Sequence, residues 1–133
     1  MKENKIEITG WELLDAYPIF EKIVKQRLVT TKGVYNLLKV IKLAGKVIFD
    51  EKLIDIKNDL VKKYAEEKKP DDTSTIIRLD PGKVELFYDE ANVIFNKVFT
   101  IDYSPVDYSL LEDSKLELSM DELIILEKFI VQN

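Results

Sequence analysis

From Val34 to Tyr64 apolar side chains recur every three or four residues, through Val34, Leu37, Ile41, Ala44 and Ile48 and then Phe49, Leu53, Ile56, Leu60 and Tyr64. That spacing keeps one face of an α-helix apolar. At 1.5 Å per residue an unbroken helix over this run would reach about 45 Å, longer than a small domain is wide. The stripe drifts in phase between Ile48 and Phe49; one very long helix is expected, with a break near Gly45 or Phe49-Asp50 as the alternative. Phe49, Leu53, Ile56 and Leu60 are more apolar surface than a domain this small is expected to cover, which predicts a homodimer formed through that stripe.

The surrounding chain supplies partners for such a helix. Lys5-Ile6-Glu7-Ile8 alternates polar and apolar as a short strand does, and Thr9-Gly10-Trp11-Glu12 has the spacing of a capping box, predicting a helix from Gly10. Leu13, Tyr17, Phe20, Val24 and Leu28 continue it on one face, with Pro18 set to bend it or restart it. Residues 29–33 interrupt the pattern and offer Thr30 or Thr31 as the next cap. Residues 66–74 are polar, charged and proline-containing, and read as a loop.

Beyond the loop, residues 75–79 and 83–88 flank Asp80-Pro81-Gly82 and predict a β-hairpin. Asp89 is placed to cap a short helix through Ala91, Ile94, Phe95 and Val98. Residues 99–103 read as a strand ended by Ser104-Pro105, Lys115-Leu116-Glu117-Leu118 as another, and Ser119-Met120-Asp121-Glu122 as a second capping box opening a terminal helix with Leu123, Leu126, Phe129 and Ile130 on one face. The fold class is therefore α+β: an N-terminal helical hairpin with one long helix, packed on a small, mainly antiparallel sheet, with a C-terminal helix. A chain of 133 residues fits one domain over 1–133.

The leading strand, the helical hairpin with its turn at 29–33, the lysine-rich helix ending in Leu60-Val61-Lys62-Lys63-Tyr64, the polar insert, and the closing Leu116-Glu117-Leu118-Ser119-Met120-Asp121-Glu122-Leu123 together resemble small phage and prophage proteins of Gram-positive bacteria. The resemblance spans most of the chain and is one of pattern. It implies a viral accessory protein and brings no catalytic residues with it.

Charge divides the chain at the same loop. Residues 1–69 carry fifteen Lys/Arg against eleven Asp/Glu, and residues 70–133 five against fourteen, so a basic, mainly helical part precedes an acidic part of mixed strand and helix. Seven basic residues and no acidic one lie between Lys22 and Phe49. Within that stretch Lys32, Lys39 and Lys46 repeat every seven residues and Lys42 lies close to two of them, forming a candidate basic patch. It reads as a solvated helix face, as a dock for an acidic protein surface or for the chain's own acidic half, or as a stripe that neutralises phosphates of a nucleic acid.

A second candidate is the micro-repeat Asp102-Tyr103-Ser104-Pro105-Val106-Asp107-Tyr108-Ser109. Asp102, Tyr103, Asp107 and Tyr108 around a proline could form an interaction loop, since tyrosines give rigid amphipathic contact area. The plainer reading is a strand exit whose tyrosine rings cover the edge of the core.

Little points to catalysis. The chain has neither His nor Cys, which removes the usual neutral-pH base and the thiolate nucleophile. Its carboxylate pairs lack the ligand-loop spacing of a cation site, and its four glycines form no phosphate-binding fingerprint. No catalytic, metal or cofactor-binding residue is expected. The charged N-terminus does not read as a signal peptide and no run is long enough to span a bilayer, so a cytoplasmic location is expected. The sequence thus predicts a non-enzymatic protein that works through a protein partner, with nucleic-acid binding through the lysine stretch as the alternative.

Overall fold

The computed structural model describes residues 5–67, 71 and 77–132. Strand β1 (Ile6–Thr9) leads directly into helix α1 (Gly10–Val24). The capping box is formed in full: the Thr9 hydroxyl accepts from the Glu12 backbone N–H, and the Glu12 carboxylate accepts from the Thr9 N–H at 3.1 Å. Pro18 lies within α1 without dividing it. Helix α2 (Lys32–Asp50) starts at Thr31, whose side chain accepts from the Val34 N–H.

The long stripe is divided. Glu51 and Lys52 form a turn, with Lys52 in the left-handed region at φ 55°, before α3 (Leu53–Lys63) begins. The phase change in the sequence marks this break. Ile48 completes the buried face of α2, Leu53 opens that of α3, and Phe49 belongs to neither and is 82% exposed. Leu53 and Leu60 are buried and Ile56 packs against the core, so most of the stripe that predicted a homodimer is covered within one chain.

The expected hairpin is corrected. Thr75 and Ile76 lie outside the described residues, and residues 83–88 are helical, not a strand. Asp80 accepts from the Gly82 N–H, Pro81 occupies the first position of a 3-10 turn (Pro81–Lys83), and α4 (Val84–Phe95) follows at once. The alternating Val84, Leu86 and Tyr88 that suggested a strand are all exposed, whereas Phe87, Ala91 and Phe95, four apart, are buried. A proline at the start of a helix behind an Asp cap is a helix signal that outranks a short alternation. Asp89 accordingly lies inside α4 and caps nothing.

Strand β2 (Val98–Ile101) pairs antiparallel with β1, Ile6 opposite Ile101 and Thr9 opposite Val98. A second pair, β3 (Val106–Asp107) with β4 (Ile130–Val131), is parallel. Residues 115–118 form no strand. The Gln26 side-chain amide takes both backbone groups of Glu117, donating to its carbonyl and accepting from its N–H at 2.9 Å each, so one side chain substitutes for a neighbouring strand. The second capping box forms as read, but α5 (Met120–Ile125) is short. Leu126 and Phe129 are buried in the turn that follows and Ile130 is buried in β4.

The architecture is α+β, and buried side chains from both parts of the chain form one cluster. Leu13, Phe20 and Ile23 of α1 meet Leu37, Val40 and Ala44 of α2, Phe95 of α4, and Phe129, which stacks edge-on against Phe20 at 5.1 Å between ring centres. Trp11 is half-buried, packs on Phe95 and donates its indole N–H to Asn92.

Candidate interaction surface

Helix α2 presents two opposite faces. Its inner face, Val34, Leu37, Val40, Ile41, Ala44 and Ile48, is buried. A step of seven residues returns to nearly the same side of a helix, drifting about 20°. Lys32, Lys39 and Lys46 therefore form one row on the outer face, about 10 Å apart along the axis. Tyr35, Lys42 and Phe49 form the adjacent row. All four lysines are exposed, as are Tyr35 at 62% and Phe49 at 82%.

These lysines are not spent inside the molecule. Among the described residues the ion pairs are Lys22–Glu122 at 2.7 Å, Lys63–Glu90 at 2.9 Å and Lys128–Glu12 at 2.7 Å, none of which uses the α2 row. Two of these pairs use carboxylates of the acidic part, Glu90 and Glu122, and among the described residues none of the four lysines forms an ion pair with that part. Hydrogen bonds from Lys22 and then from the Ser119 backbone hold the Glu122 carboxyl below its ordinary range, and hydrogen bonds from the Tyr64 hydroxyl and Lys63 do the same for Glu90. Partial burial works to raise the Glu12 carboxyl, but hydrogen bonds from Lys128 and Thr9 outweigh it and bring it below the ordinary value.

The C-terminal end of this outer face opens on a depression of about 460 Å³ at the break between α2 and α3. Tyr17 of α1, Gly45, Ile48 and Phe49 of α2, Lys52 of the turn, and Ile54 and Asp55 of α3 line it. Most of this lining is apolar or aromatic, and Lys52 and Asp55 are its charged members.

Residues 102–109 are built differently. Tyr103 is half-buried and its hydroxyl donates to Asn36 Oδ1 on α2 at 3.0 Å, tying the strand exit to the helix. Asp107 accepts from the Ser109 N–H and hydroxyl and caps the 3-10 turn Tyr108–Leu111. Tyr108 is half-buried against the core and lines a small depression with Leu111, Leu116, Leu118 and Leu123. Asp102 is exposed and borders a separate shallow depression with Asn36, Tyr103, Ser104 and Pro105. The two tyrosines thus line different depressions, each with its ring on the core edge.

Sequence reasoning missed the aromatic members of the α2 face. Tyr35 and Phe49 stand seven residues on either side of Lys42, and plotting α2 alone on a helical wheel would have placed both among the lysines. Phe49 joins the buried stripe only when the stripe is continued across the break between α2 and α3. Among the described residues no three Asp or Glu side chains gather as a metal site, and no helix is long and apolar enough to cross a membrane. The chain matches no protein-family model, no curated protein sequence and no solved structure.

Proposed function

We propose that this chain is a non-enzymatic phage accessory protein that acts by binding another protein, and that the outer face of α2 is its binding surface. The observation that carries this reading is the face itself: four lysines without ion-pair partners among the described residues, interleaved with the exposed rings of Tyr35 and Phe49. An aromatic ring in water forgoes about 2 kcal/mol or more of burial, and aromatic residues are enriched where proteins meet. The lysines around them fit an acidic counterpart and would speed encounter with it. The resemblance to prophage proteins and the lack of His and Cys support an accessory role, in virion assembly or in inhibition of a host factor, in the bacterial cytoplasm or on the virion.

The test is affinity capture from cells carrying the phage, comparing the native chain with the double variant Lys39→Glu/Lys46→Glu. A protein retained by the native chain at physiological salt and lost with the variant supports the reading. Equal capture by both, or none by either, refutes it. The rings of Tyr35 and Phe49 also favour a second reading, single-stranded nucleic acid stacked on the aromatics with its phosphates on the lysines. Fluorescence anisotropy with single- and double-stranded oligonucleotides over a salt series decides that reading, since phosphate contacts are strongest at low salt.

A further inference from the structure

Two of the chain's four glycines, Gly10 and Gly33, are held to glycine by tight contacts, and Gly45 within α2 is not. A side chain at Gly10 would press on Phe95, one at Gly33 would overlap the Leu110 carbonyl, and Gly82 lies in the turn capped by Asp80. A Cβ at Gly45 would meet nothing within 4 Å. Glycine in a helix interior is destabilising relative to alanine, and Gly45 is five residues from the end of α2 with no tight contact to explain it. It lines the 460 Å³ depression together with Phe49. Any side chain there would project into that space.

Resting on the reading of α2 as the binding face, we infer that this depression is a socket for one large apolar side chain of the partner, carried on an acidic segment. The apolar lining of Tyr17, Ile48, Phe49 and Ile54 fits such an anchor, and Gly45 keeps the opening clear. Anchors of this kind, seated in a pocket and ringed by polar contacts, dominate binding energy at interfaces. The acidic character of the partner follows from charge complementarity. Lys42 and Lys46 lie within a turn of Gly45 on α2. Lys52 and Asp55 both line the socket, so the acidic flank of the partner is matched by the lysine rows of α2 and not by the socket itself.

A random 12-residue peptide library selected against the native chain tests this, followed by titration of the enriched peptides against Gly45→Leu, Gly45→Ala and Lys39→Glu/Lys46→Glu. Enriched peptides should combine Asp or Glu with at least one large apolar residue. They should bind Gly45→Leu at least tenfold more weakly, lose affinity when that residue is replaced by Ala, and weaken with salt. Should Gly45→Leu fail to fold, Gly45→Ala still reports, because it adds a methyl group to open space and should weaken binding while leaving the melting temperature unchanged or higher. Peptides that bind all Gly45 variants equally, or a selection that enriches none, overturn the socket. If Lys39→Glu/Lys46→Glu abolishes capture from cells while Gly45→Leu does not, the α2 face stands and the socket alone falls. Concentration-dependent sedimentation abolished by Gly45→Leu would assign the socket to a second copy of the chain and overturn the acidic partner.

Discussion

The outer face of α2 and the segment at 102–109 both offered aromatic rings beside charged groups in the sequence, and the fold uses them in opposite ways. In the segment two polar groups are engaged inside the molecule: the Tyr103 hydroxyl on Asn36 of α2, and the Asp107 carboxylate on Ser109. On α2 the lysines have no ion-pair partners among the described residues and the rings of Tyr35 and Phe49 stand in water. The lesson is that composition proposes an interface but internal hydrogen bonding disposes of it. A tyrosine whose hydroxyl and ring are already satisfied adds to stability, and one left over is available to a partner.

The two glycines of α2 carry the same contrast and allow the sharpest test of it. Gly33 faces the backbone at Leu110, with a built Cβ 2.8 Å from the Leu110 side chain, so Gly33→Ala must shift the 3-10 turn that follows β3. It should destabilise by about 3 kcal/mol, as overpacking against backbone does. A melting temperature equal to the native one would show that α2 and this segment are not tightly joined.

Tyr103→Ala comes next. Loss of a half-buried ring and its hydrogen bond should cost about 2 kcal/mol, less than the 3–5 of a fully buried aromatic, and Tyr103→Phe about 1. Unchanged stability with lost partner capture would reverse the comparison and make the segment the binding surface. Gly45→Ala should raise stability by about 0.5–1 kcal/mol in chemical denaturation, through helix propensity in open space. Destabilisation there would reveal an internal contact and remove the contrast with Gly33.

Lys39→Glu/Lys46→Glu should change stability by no more than about 0.5 kcal/mol, since exposed groups without partners contribute little to folding. The smallest effect belongs to the ion pairs. Glu12, Glu90 and Glu122 have folded pKa values below their unfolded ones, so the stability they add is present at neutral pH and is lost as pH falls below about 4.3 and through the folded values. Lys22→Met should therefore barely move the melting temperature near neutrality and should shrink its fall on acidification. An unchanged acid dependence would mean that the Lys22–Glu122 pair is not formed in solution.

Much of this was legible because its causes are local. Thr9 with Glu12 and Ser119 with Glu122 fix two helix starts through hydrogen bonds spanning three residues, and those starts are where the spacing put them. The change of phase after Ile48 marked the end of α2. The strand at 99–103 was found within a residue or two as β2. What failed were two short alternating runs that read as strands. Residues 83–88 alternate like a strand, but the burial of Phe87, Ala91 and Phe95 decides for helix. Residues 115–118 alternate too, and the amide of Gln26 ninety-one positions away takes the place of a strand.

The candidate surface divides along the same line. The sequence by itself determined the lysine rows, because a seven-residue repeat on a helix needs no knowledge of the rest of the chain. Only the tertiary structure decided that Gly45 opens on a depression and that the rings of Tyr103 and Tyr108 rest on the edge of the core. Exposure is a property of what other segments cover, and α2 is covered both by its sequence neighbours α1 and α3 and by the 3-10 turn at Tyr108–Leu111, which reaches it from a distant part of the sequence.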